Sequence, residues 1–231
     1  FTPEDGCVWG SFDYSQQEPR IVVHYAIKLG LPGTTDLKNE FNKEDADFHQ
    51  IVADMAKISR TQAKTINLGL FYGMGKLKLQ AELGLDRMGA KKLFDEYHAK
   101  VPFVRQLSQD LIEFASDNRL LFTLHDRFCR FDKFESTDKH WNNETNRFDP
   151  VPLYTEEKAK QAYQAEVTEK YKDDKIPADY MKHFDRHYVP AFTYKALNRL
   201  IQGGAADMTK KAMVDLYEKG ILPQIQIHDE L

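Results

Sequence analysis

The chain has 231 residues, 42% of them hydrophobic, and a formal net charge of −4. That is enough apolar material for one large domain or two small ones, and no apolar run approaches the ~20 residues of a membrane-spanning helix. The mild net acidity argues against a protein that coats nucleic acid by bulk charge, while leaving room for a local basic track. Cys7 and Cys129 are too few for a disulfide framework and too isolated for a zinc site, which predicts a reducing, cytosolic setting. The N-terminus Phe1-Thr2-Pro3-Glu4-Asp5 lacks signal-peptide shape. Both ends read as cuts, so the expectation is a fragment.

In chain order, Cys7–Phe12 has the aromatic and β-branched content of a buried strand that delivers Asp13 at its end. Pro19 suits a first helical turn, and Ile21, Val22, Tyr25, Ala26 and Leu29 recur at helical spacing before Gly30. After the turn at 31–35 come a helix over Asp45–Lys57 and another beginning at Ser59. Ser59 with Gln62 three positions on makes a capping box. This second helix should end near Tyr72-Gly73. Two helices follow, Arg87–Lys100 and Phe103–Asn118, separated by Pro102. Leu120–Thr123 and Arg127–Phe131 flank His125-Asp126 as a hairpin. Residues 132–190 turn charged and tyrosine-rich, with weak helical periodicity over Thr155–Tyr171 and Asp179–His187. A long helix over Phe192–Lys219 and a strand over Pro223–His228 complete the chain.

Asp13 and Asp229 thus each end a predicted strand. If those strands are neighbours, both carboxylates emerge at one edge and would repel unless a divalent cation relieved them. Strand-terminal acids are common and usually only solvated. Their surroundings decide the matter here.

Asp13-Tyr14-Ser15-Gln16-Gln17-Glu18-Pro19-Arg20 resembles motif A of the family A DNA polymerases, the DNA polymerase I family. Arg60-Thr61-Gln62-Ala63-Lys64-Thr65-Ile66-Asn67-Leu68-Gly69-Leu70-Phe71-Tyr72-Gly73 resembles motif B, and Gln226-Ile227-His228-Asp229-Glu230 resembles motif C. The helix with Asn198 and Gln202 is similar to the one preceding motif C in that family. The elements occur in the family's order, over about 1–131 and 191–231.

The resemblance implies an α+β fold: a palm of antiparallel sheet with helices, and a mainly helical fingers subdomain. Palm would cover 1–30 with motif A and 191–231 with motif C. Fingers would cover 31–118 with motif B, a hairpin over 119–131 would return to the palm, and 132–190 would be an insertion of unknown role. It further implies template-directed addition of deoxynucleotides to a primer 3′ end by two-metal-ion nucleotidyl transfer, in DNA replication. Asp13 and Asp229 would hold two Mg²⁺ ions, with Glu230 alongside and Lys64 in the catalytic group. Arg60, Lys64, His49, Leu68, Tyr72 and Gln16 would bind the nucleotide, with Glu18 as the gate against ribose. Asn198, Gln202 and His228 would touch DNA. The partners are primer–template DNA and deoxynucleoside triphosphates, with no membrane.

The residues themselves agree with several of these roles. Arg60, Lys64 and Leu68 are spaced by four and form one stripe beginning at a helix N-terminus, which suits a triphosphate. Asn198 and Gln202, one turn apart, suit the minor groove, where correct pairs share acceptors. Leu68 departs from the Phe or Tyr usual in the family, Tyr194 stands where bacterial members have arginine, and 132–190 is longer than their interval. These departures favour a bacteriophage enzyme, acting in the host bacterial cytoplasm. Two rivals remain: a single-subunit RNA polymerase-like enzyme and a truncated, non-catalytic primer–template binding module.

Overall fold

The computed structural model describes residues 3–35, 37–43, 46–71, 74, 76–145, 147–172, 174–227 and 230, apart from the side chains at 40, 70 and 71. The chain divides into two units. The first comprises residues 3–111, 122–128 and 194–230 of those described, and the second 112–121 and 129–193. The fold class is α+β: helices dominate, with three two-stranded sheets among the described residues.

The first unit begins with α1 (Gln17–Lys28), α2 (Leu37–Phe41), α3 (Phe48–Ala56) and α4 (Arg60–Phe71). It continues with α5 (Lys76–Leu83), α6 (Arg87–Lys100), the start of α7 (Pro102–Asn118) and, after the second unit, α10 (Ala196–Glu218). Its core draws Val22, Val23 and Ala26 from α1, Phe48 and Val52 from α3, Ala63 and Ile66 from α4, and Tyr97 from α6. Phe103, Val104 and Leu107 of α7 and Leu197 and Ile201 of α10 complete it. Helix ends follow the local chemistry. Asp47 caps α3 by accepting from the His49 and Gln50 amides, and Asp86 caps α6 by accepting from Gly89 N at 2.6 Å. Ser59 and Gln62 form the expected box, Ser59 N donating to Gln62 Oε1 at 3.0 Å and Gln62 N to Ser59 Oγ at 3.2 Å. Pro102 opens α7 rather than lying between helices, because its missing N–H is harmless in a first turn.

Strands β1 (Leu120–Phe122) and β2 (Phe128–Arg130) form the expected hairpin. The segment 122–128 docks on α10. Thr123 Oγ1 donates to Asp207, and Arg127 pairs with Asp207 at 2.8 Å while also donating to Gly203 O at 3.0 Å. A Cβ on Gly203 would lie 2.7 Å from Thr123 Cγ2, so a side chain there would push the hairpin off the helix.

The second unit holds β3 (Phe134–Ser136), β4 (Trp141–Asn142), β5 (Arg147–Phe148), α8 (Glu156–Lys170), α9 (Phe184–His187) and β6 (Tyr188–Pro190). β3 pairs antiparallel with β6, Glu135 opposite Val189, and β4 pairs with β5. Phe134, Ala159, Tyr163, Val167, Phe184 and Tyr188 form its own core. The Phe184 and Tyr188 rings stack at 5.8 Å, and the Tyr188 hydroxyl donates to Glu166 at 2.6 Å.

Three expectations are corrected. Cys7–Phe12 and the described part of Pro223–His228 are not strands. Only isolated bridges join Asp13 to Glu230 and Ile227 to Glu230. Val8 and Phe12 are 91% and 75% exposed, so the apolar content that signalled a buried strand has no covering layer among the described residues. The helix expected from Asp45 starts at Phe48, since Asp47 is its cap. Helix α5 is an element that sequence periodicity did not reveal.

Candidate nucleotide and metal site

Every described residue expected in the site belongs to the first unit. The cationic part stands on α3 and α4. Arg60 occupies the first position of α4 and Lys64 follows one turn later; both are exposed, with Leu68 half-buried on the same stripe. Arg60 lies 2.7 Å from Asp47 Oδ2, so the cap of α3 also orients the first cation of α4. Partial burial pushes the Asp47 carboxyl up. The Arg60 hydrogen bond, with the amides of Gln50 and His49, outweighs this and holds it below the ordinary range. Lys64 has no ion-pair partner among the described residues.

His49 is buried between these helices, 7% exposed, with Nδ1 3.1 Å from Asn67 Nδ2. Burial lowers its imidazole pKa below the ordinary value; Asp47 opposes this, and Arg60 and Lys64 add to the lowering. A neutral histidine beside two cations makes a face that accepts anions. Gly69, one residue past the stripe, is buried against the Met74 side chain: a Cβ there would lie 2.6 Å from Met74 Cε.

The carboxylates gather differently. Asp13 and Glu230 pair through their backbones as an antiparallel bridge, and Ser11 Oγ donates to Glu230 Oε1. Segments remote in sequence therefore meet at Asp13 and Glu230, although no sheet carries them; the expected pairing was of Asp13 with Asp229. Asp229, His228 and Tyr72 lie outside the described residues. No cluster of three or more His, Cys, Asp or Glu that could hold a metal occurs among the described residues. Asp13 and Glu230 nonetheless offer the hard oxygen donors that magnesium takes, and one or two carboxylates suffice where phosphates complete the octahedron.

Gln16 differs from expectation in what it touches. Gln16, left-handed at φ 53°, donates from Nε2 to Ala46 O at 2.8 Å and accepts from Phe48 N at 2.7 Å. Both ends of its amide hold the start of α3 against α1, where a nucleotide contact was expected. Glu18 is half-buried in the first turn of α1, next to Gln17, whose amide reaches Ala205 O on α10 at 3.3 Å. Asn198 and Gln202 do share one face of α10, half-buried and exposed respectively.

Asp47, Asn67 and Tyr97 were missed by motif reasoning. Asp47 followed by Gln50 carried the same cap signal as Ser59 with Gln62. Asn67 and Tyr97 carried none, since a buried polar contact between two helices leaves no mark on either one.

A family model described as DNA polymerase family A matches residues 1–149. The chain is 31% identical to a DNA-directed DNA polymerase of Pseudomonas phage M6, across all of this chain and 33% of that protein. It is 26% identical to DNA polymerase I of Caldicellulosiruptor bescii, again across its whole length and 23% of the relative. A DNA polymerase of Mycobacterium phage L5 matches at 26%, over all of this chain and 28% of that one. The chain therefore spans a third or less of the length of these relatives. Among solved structures, the POL domain of Pol1 from M. smegmatis, in complex with DNA primer-template and dNTP, shares the fold. That likeness has a TM-score of 0.59 at 23% identity, over 96% of this chain and 32% of that one. With its family model matched over more than half its length, the chain belongs to DNA polymerase family A.

Proposed function

We propose that this chain forms the nucleotidyl-transfer site of a template-directed DNA polymerase, which adds deoxynucleotides to a primer 3′-hydroxyl and releases pyrophosphate. The observation that carries the reading is the α3–α4 face. Arg60 and Lys64 stand one turn apart at a helix N-terminus, beside a buried neutral histidine, and this is a cradle for a polyphosphate. In this reading Arg60 and Lys64 hold the triphosphate, Leu68 packs beneath the sugar, and Glu18 with Tyr72 fills the space a 2′-hydroxyl would need. Asn198 and Gln202 donate to minor-groove acceptors that all correct pairs share. Asp13 and Asp229, with Glu230 beside them, hold divalent magnesium. When bound, the metal lowers the pKa of the attacking hydroxyl and neutralises charge on the leaving phosphate. Residues 1–30 and 191–231 serve as palm and 31–118 as fingers. Bacteriophage replication is the setting that the phage relatives favour.

The test is magnesium-dependent extension of a primer–template, with deoxy- and ribonucleotides run separately, beside Asp13→Ala and Asp229→Ala. Deoxynucleotide addition lost in both variants supports the reading. Ribonucleotide addition would instead favour an RNA polymerase-like enzyme. Tight primer–template binding without any addition would favour a binding module.

A further inference from the structure

Behind the cation face, three buried polar side chains on three different helices form one run of hydrogen bonds. Tyr97 of α6 is 0% exposed, and its hydroxyl donates to Asn67 Oδ1. Asn67 of α4, also 0% exposed, reaches His49 Nδ1 of α3 with its Nδ2.

Tyr97 sets the direction of the run. A buried hydroxyl has one proton to place, and an unbonded buried donor bears the full cost of its lost hydration. Asn67 Oδ1 is the acceptor that the described residues offer it. The amide must therefore turn its oxygen to Tyr97 and its NH₂ to His49; the flipped amide would strand the tyrosine proton. An NH₂ group can only donate, so His49 Nδ1 accepts and carries no proton. Among the described residues nothing bonds Nε2, and a neutral ring must hold its proton there.

We propose that Asn67 and Tyr97 are positioning residues that lock His49 as the Nε2–H tautomer, so that the ring presents a donor to the anion held by Arg60 and Lys64. The identity of that anion rests on the triphosphate reading above; the tautomer lock does not. The groups that face the ring are Asp47 on its own helix, Arg60 and Lys64 on α4, and Tyr97 through Asn67. Burial and the two cations disfavour imidazolium, so a phosphate oxygen near neutral pH meets a neutral ring. Such a ring attracts phosphate only if the proton lies on the outward nitrogen. An unlocked ring would spend part of its time offering a lone pair, which phosphate repels.

The experiment is long-range proton–nitrogen NMR on the whole chain, ¹⁵N-labelled at histidine, with His49 assigned from the spectrum of His49→Gln. At neutral pH the wild-type ring should show a bare Nδ1 and a protonated Nε2. Asn67→Asp replaces a donor with an acceptor and should move the proton to Nδ1, while Tyr97→Phe should populate both tautomers. A wild-type ring with its proton on Nδ1 overturns the proposal without needing any variant. So does a folded Asn67→Asp chain whose His49 spectrum is unchanged. Adding inorganic tripolyphosphate should shift the Nε2–H resonance. If tripolyphosphate binds in a Lys64-dependent manner and leaves that resonance unmoved, the donor role falls. If it does not bind while the proton sits on Nε2, the lock is supported and the triphosphate reading fails.

Discussion

The helices that carry Arg60, Lys64 and His49 and the segments that carry Asp13 and Glu230 are held by different kinds of interaction. On the helical side, hydrogen bonds close within a few residues, caps at Asp47 and Ser59 finish the ends, and Phe48, Val52, Ala63 and Ile66 bury one face. On the carboxylate side, among the described residues, the two end segments join through the Asp13–Glu230 bridge and through Ser11 bonding Glu230, 219 residues away in sequence. Val8, Phe12 and Ile227 of those segments face water. Helix closure is local, whereas strand pairing must overcome the entropy of joining distant segments, and an isolated pair of strands is marginal in water. The face proposed to hold phosphate is thus built on a packed scaffold. The edge proposed to hold metal depends on backbone with little support among the described residues.

The largest effect is expected at the carboxylates. Asp13→Ala should lower the rate of primer extension by about a thousand-fold or more, the scale of several kcal/mol of metal-borne charge stabilisation. Its far-ultraviolet circular dichroism should be unchanged, because the α3–α4 scaffold does not need that carboxylate. Next in size, Lys64→Ala should cost about a hundred-fold in kcat/KM for deoxynucleotides, as loss of one charged donor to a transferring phosphate does. A loss confined to kcat with KM intact would move Lys64 from holding substrate to acting only in the transition state.

The helical scaffold has a pH weakness of its own. His98 of α6 is 9% exposed, its Nδ1 is buried without a hydrogen-bond partner among the described residues, and its ring meets Phe94 edge-on at 4.3 Å. Burial, reinforced by Arg105, lowers its pKa to about 4. Between about 6.5 and 4 the unfolded chain binds a proton that the folded ring refuses, so stability is full above that window and declines as pH falls through it. The His98 share of the loss between pH 7.5 and pH 4.5 is on the order of 2 kcal/mol, read from urea unfolding. His98→Phe should remove that share and leave the part due to His49, whose pKa burial also lowers. The smallest effect concerns Leu68, half-buried on the cation stripe. Leu68→Phe should alter single-nucleotide incorporation by no more than about ten-fold, or about 1.4 kcal/mol, by changing the packing beneath the sugar. Unchanged kinetics would remove that role.

What could be read in advance follows the same division. The Ser59–Gln62 box, the Arg87–Lys100 helix and the 120–131 hairpin were legible because each is specified by residues within one or two turns of it. The Arg60–Lys64–Leu68 stripe was legible for the same reason, as spacing on a helix is arithmetic. The strands before Asp13 and Asp229 were over-read, because apolar content describes what a segment would do with a neighbour and not whether one is present. Gln16 was misjudged because its partners, Ala46 and Phe48, lie 30 and 32 residues away. The run through Asn67 could not be seen at all: its members are ordinary helix residues until three helices pack.

Equilibrium binding of a deoxynucleoside triphosphate, with and without magnesium, tests most directly whether the helical face and the carboxylate edge form one site. Lys64→Ala should weaken binding in both conditions, while Asp13→Ala should spare metal-free binding and abolish the gain from magnesium. Wild-type affinity in Lys64→Ala, or an undiminished magnesium gain in Asp13→Ala, would contradict a single shared site.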